Sequence, residues 1–145
     1  MTGRKGPENN FAEKIRLAPY SLGMGAMGLP GDLSSTSRFV KGTFVRFHSC
    51  PGETEEESVS QFFHILGSVE VPRGCVRTKE DRFERTVYSS CCNTDRGIYY
   101  YTTYDNRRIT AVDLRREDLE GREVIAYPLK WKQDICYQEQ GGSST

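Results

Sequence analysis

The hydrophobic period of this chain changes once, and that change limits the folds open to it. Between Val40 and Leu66, apolar side chains recur at i, i+3, i+4 and i+7, the spacing of one helix face. From about Phe83 the period shortens. Phe83–Cys92, Ile98–Tyr104 and Ile109–Leu114 are rich in Tyr, Val, Ile and Thr, as strands are. A helical stretch followed by a strand-rich stretch reads as α+β: two helices beside a short antiparallel sheet.

Local signals place the elements. A first helix is expected from about Asp32–Ser35 to Phe47, with Asp32, Ser34 and Ser35 all able to cap it. Its apolar stripe is Val40, Thr43, Phe44 and Phe47, and Gly42 weakens it by about 1 kcal/mol relative to alanine. The second helix starts at a capping box, Thr54 with Glu57, and carries Val59, Phe62, Phe63 and Leu66 at i, i+3, i+4 and i+7 before ending near Gly67–Val69. Three strands follow in meander order. Asn93–Gly97 and Asp105–Arg107 are the turns, and Glu123–Tyr127 is read as a fourth short strand. Residues 1–21 read as a polar N-terminal loop segment, 22–131 as one domain and 132–145 as a flexible tail. Tyr99, Tyr100 and Tyr101 alternate faces, so the sheet wants cover on both sides, and two helices supply one.

Charge excludes some functions. Across 145 residues, 20 Lys and Arg balance 20 Asp and Glu, which leaves no electrostatic footprint for nucleic acid or an anionic membrane. No apolar run reaches the roughly 18–20 residues that span a bilayer. Met1–Pro7 has no signal-peptide core, and the chain is read as cytoplasmic. Its 5 cysteines, Cys50, Cys75, Cys91, Cys92 and Cys136, fit no disulfide or zinc spacing and are read as reduced thiols.

Candidate chemistry is sparse, and no cofactor or metal is expected. His48 and His64 fall in different helices with no cysteine at partner spacing. Gly23–Gly28 spells G-x-G-x-x-G, but no strand precedes it and Pro30-Gly31 interrupts before the helix, so the dinucleotide context is missing. Thr2 would become N-terminal after methionine removal, yet Thr2–Gly6 is too polar to begin a buried strand. Capping accounts for Asp32. Arg38 stands among small hydroxyl residues, Ser34-Ser35-Thr36-Ser37, which let its side chain turn inward.

Longer words in the sequence say more. Met24–Ser35 (MGAMGLPGDLSS) with Ser37-Arg38-Phe39-Val40 closely resembles the choloylglycine hydrolases, the group of bile salt hydrolases and penicillin V acylases. Gln61–Leu66, Tyr88–Asn93, Gly97–Tyr101, Thr103–Asn106 and Ile109–Asp113 are similar to the same family, in the same order. The resemblance covers about residues 8–128.

It implies the C-terminal portion of an N-terminal-nucleophile hydrolase, an αββα sandwich. The family cleaves a linear amide C–N bond, in conjugated bile salts or in penicillin V. An N-terminal cysteine attacks, its own amine acts as base, and preorganised donors hold the oxyanion. The resemblance also implies a homotetramer for the full-length form. It assigns one catalytic residue to this chain, Arg38, near the nucleophile. None of the 5 cysteines matches that nucleophile, so the isolated chain is expected to be inactive. The alternatives are a penicillin V acylase-like amidase fragment, or a non-catalytic module that pairs with a hydrolase subunit.

Overall fold

The computed structural model describes residue 14 and residues 24–138 of the chain. The N-terminal segment 1–21, Thr2 included, lies outside the described residues except for Lys14. The chain divides into two compact units, one ending at Val71 and one beginning at Pro72.

In the first unit a short 3₁₀ turn, Met24–Ala26, leads through Gly28 at φ 95° to helix α1, Ser35–His48. Ser34 is the N-cap, and its hydroxyl accepts from the Ser37 N–H. Asp32 stands two residues earlier and holds the cap. Its carboxylate accepts the Ser34 N–H at 2.8 Å and the Ser37 hydroxyl at 2.5 Å. Ser37 is the buried residue of α1. The expected apolar stripe is not a buried one: Phe47 is 78% exposed, and Phe39 beside it 74%. Periodicity identifies which side of a helix is apolar, not what meets it.

Helix α2, Glu55–Gly67, begins at the complete capping box of Thr54 and Glu57. Glu55, Glu56 and Glu57 fill its first turn, where the helix dipole favours anions. Beyond α2 the chain runs to Val69, whose side chain lies over Gly42 of α1, and to Val71, the most deeply buried hydrophobic side chain among the described residues.

The second unit opens with a hairpin of two-residue strands, β1 (Val76–Arg77) and β2 (Phe83–Glu84). Asp81 sits in its turn at φ 56°. A three-stranded antiparallel sheet follows: β3 (Tyr88–Asn93), β4 (Ile98–Thr103) and β5 (Thr110–Asp113), in meander order. The expected continuous strand Phe83–Cys92 is therefore two. Its first part pairs with β1 and its second with β4, and a chain that changes partner breaks its ladder between them.

Cys92 opposes Tyr99 and Cys91 opposes Tyr100, so the two thiols belong to opposite faces. Tyr99, Tyr101 and Val112 share the Cys92 face. Glu123–Tyr127 pairs with no strand, contrary to expectation, and Val124 is 94% exposed. The alternation is nonetheless real. Ile125, Tyr127 and Leu129 line a hollow of about 420 Å³ with Tyr99, Tyr101 and Val112. This stretch covers one sheet face with side chains instead of joining its ladder.

Three polar contacts fix it further along. The Thr103 hydroxyl donates to the Lys130 carbonyl at 2.9 Å, the Lys130 N–H to the Tyr101 hydroxyl at 3.3 Å, and the Asn106 amide to the Lys132 carbonyl at 2.9 Å. Arg108 pairs with Asp134.

Two outcomes follow. A Cβ added at Gly42 would meet Val69 Cγ1 at 3.5 Å, an ordinary contact. Gly42→Ala should therefore stabilise the chain by about 0.5–1 kcal/mol, read from the urea midpoint. The second outcome concerns Asp32, whose carboxyl is held at about 2 against an ordinary 3.8 by the Ser34 and Ser37 hydroxyls and the Ser34 N–H. The unfolded chain then binds the extra proton between those values. The stabilisation is complete above about pH 4 and is lost as pH falls through about 2. Urea midpoints of the parent and of Asp32→Asn should converge over that interval and stay separated above it.

Candidate active site

Arg38, the one site residue the sequence singles out, is the fourth residue of α1. Its backbone N–H makes the first helical hydrogen bond, to the Ser34 carbonyl at 3.0 Å. The side chain is half-buried, and its Nε donates to the Val69 carbonyl at 2.8 Å, across 31 residues of sequence. That contact uses the inner edge of the guanidinium and leaves the terminal nitrogens out of it.

The arginine lines an open groove of about 660 Å³ between α1 and α2. Phe39, Phe47, Phe62, Ile65 and Leu66 form its apolar walls, and Arg46 is its second cation. Neither a cysteine nor a histidine lines it. A cation held against a carbonyl in apolar surroundings can orient or stabilise an anionic group. It cannot supply a nucleophile.

Among the described residues, no other group takes that part. Cys50, Cys75, Cys92 and Cys136 are exposed, and Cys91 is half-buried in the sheet. Burial, with Cys92 adding to it, pushes the Cys91 thiol up, the opposite of what a reactive thiolate needs. His48 donates through Nδ1 to the Phe44 carbonyl and stacks on the Phe44 ring, a helix-surface arrangement. His64 lies in the last turn of α2. Among the described residues, no group of three or more His, Cys, Asp or Glu is placed to hold a metal ion, and no helix is long and apolar enough to cross a membrane.

Sequence reasoning named Arg38 but missed what holds it. It read Asp32 as a cap residue, whereas Ser34 is the cap and Asp32 bridges to the buried Ser37. The signal was present as the spacing Asp32-x-Ser34-x-x-Ser37.

The chain is similar to known proteins over most of its length. The chain is 54% identical over 124 residues to a bile salt hydrolase/transferase of Lactiplantibacillus plantarum, covering 86% of this chain and 38% of the relative. It is 41% identical over 123 residues to a bile salt hydrolase/transferase of Clostridium perfringens, covering 81% of this chain and 37% of that relative. Its fold superposes on a crystal structure of a conjugated bile acid hydrolase variant from Clostridium perfringens with a TM-score of 0.76 at 36% identity, covering 92% of this chain and 40% of that one. The chain thus spans under two-fifths of the length of the relatives it matches. The sequence profile of the linear amide C–N hydrolases, choloylglycine hydrolase family, matches residues 2–127, and the chain belongs to that family.

Proposed function

We propose that the chain forms the arginine-bearing layer of an amidase that hydrolyses the linear amide C–N bond of conjugated bile acids. The observation that carries this reading is Arg38. Its guanidinium is half-buried, fixed through Nε to the Val69 carbonyl, and set in a family whose relatives are named for that substrate class. The nucleophile is a cysteine from the part of the relatives' length that this chain does not span. Arg38 supports it by charge: a guanidinium with its inner edge already bonded presents its terminal N–H groups in a fixed orientation. Such a group costs little reorganisation when negative charge develops on the thiolate or the attacked carbonyl.

On this reading the 145-residue chain is a non-catalytic partner by itself. Purified alone, it should leave glycine- and taurine-conjugated bile salts intact. Turnover at the rate of a full-length enzyme would place the nucleophile within the chain and overturn the reading. Substituted for the matching segment of the Lactiplantibacillus plantarum relative, residues 24–127 should support hydrolysis of conjugated bile salts well above that of penicillin V. In that chimera Arg38→Ala should lower kcat/KM by about 10²-fold or more, and Arg38→Lys should recover only part of it, lacking the planar fork. Unchanged turnover in Arg38→Ala would remove the arginine from the site.

A further inference from the structure

The orientation of Arg38 is set from outside the groove, by the corner that starts α1. Four hydrogen bonds meet at Ser34, one of them donated by its hydroxyl to the Ser37 hydroxyl at 3.1 Å. Its carbonyl accepts the Arg38 N–H at 3.0 Å, its hydroxyl accepts the Ser37 N–H at 3.3 Å, and its own N–H is held by the Asp32 carboxylate at 2.8 Å. The same carboxylate takes the hydroxyl of the buried Ser37 at 2.5 Å. Asp32 thus grips the backbone ahead of the helix and a side chain inside its first turn, and the residue after that side chain is Arg38.

We propose that Asp32 is a positioning residue for Arg38: by fixing the Ser34 corner and the Ser37 hydroxyl together, it sets the rotation at which α1 begins and so aims the guanidinium at the Val69 carbonyl. The lever is long. A side chain the length of arginine extends well beyond the roughly 2.3 Å radius of the helix backbone, so a rotation of about 10° moves the guanidinium by about 1 Å. A displacement of that size breaks a 2.8 Å contact. In a preorganised site it costs about 10²-fold in rate. The catalytic part of this inference rests on the function proposed for Arg38, whereas its geometric part does not.

The experiment has two arms. In the full 145-residue chain, water exchange of the Arg38 Nε–H is followed by NMR. It should be slow in the parent, at least about tenfold faster in Asp32→Ala, and near the parent in Asp32→Asn, which keeps an acceptor for the Ser34 N–H. Ser37→Ala, which removes the hydroxyl alone, should move it in the same direction by less. It serves as the reporting variant if Asp32→Ala does not fold. Exchange that neither Asp32→Ala nor Ser37→Ala alters overturns the proposal.

In the chimera, Asp32→Ala should lower kcat about ten- to a hundredfold with KM within about twofold, and should cost nothing further when Arg38 is already alanine. An equal further loss in the Arg38→Ala background means that Asp32 merely supports the fold, and overturns the proposal. A chimera inactive with every parent residue in place overturns the proposed function, and the exchange measurement then decides the positioning role by itself.

Discussion

The contact between Nε of Arg38 and the carbonyl of Val69 ties the first helix to the chain that leaves the second, across 31 residues. It lies beside the close approach of the two segments at Val69, whose side chain sits over the absent side chain of Gly42. A guanidinium gives up hydration when it turns inward, and a charge-assisted bond to a carbonyl offsets that loss. The helix pair is thus arranged around a cation, and its apolar side chains wall the groove in which the cation lies.

The second unit follows a different logic. Its sheet has three strands, with β3 and β5 as outer strands. The polar residues at the β4–β5 end do more than make a turn. Asn106 is buried, accepts the Arg108 N–H through Oδ1 and donates through its amide to the Lys132 carbonyl. Thr103, also buried, accepts the Asn106 N–H and donates to the Lys130 carbonyl. Buried polar groups cost stability unless they are paired, and these pair with the covering segment. A stretch without secondary structure is thereby held over Tyr99 and Tyr101 of β4.

What the sequence made legible was mostly local. Ser34, Thr54 and Glu57 announce helix starts because capping is a contact between near neighbours. The β3–β4–β5 meander was legible because its turns are short. Apart from the Asp32 bridge to Ser37, the failures are non-local. β1 is two residues long, too short for any period. Phe83–Cys92 looked continuous because a change of partner leaves no mark on composition. Ile125, Tyr127 and Leu129 alternate as a strand does, yet alternation records only that one side is apolar. The inward course of Arg38 depends on a carbonyl 31 residues away, which no local pattern encodes. Family resemblance singled it out, and the geometry supplied the partner.

The adjacent cysteines of β3 offer the chain a use unrelated to chemistry at the groove. Because Cys91 and Cys92 project to opposite faces of one sheet, they form a built-in pair of reporters needing no mutation. The thiol with the raised titration point lies on the Tyr100 face, and the exposed thiol lies on the Tyr99 face. Anything that covers or uncovers one side of the sheet would alter the alkylation rate of one cysteine and spare its neighbour. Peptide mapping after a brief thiol-labelling pulse would therefore read the two surfaces of this sheet independently, from a single sample.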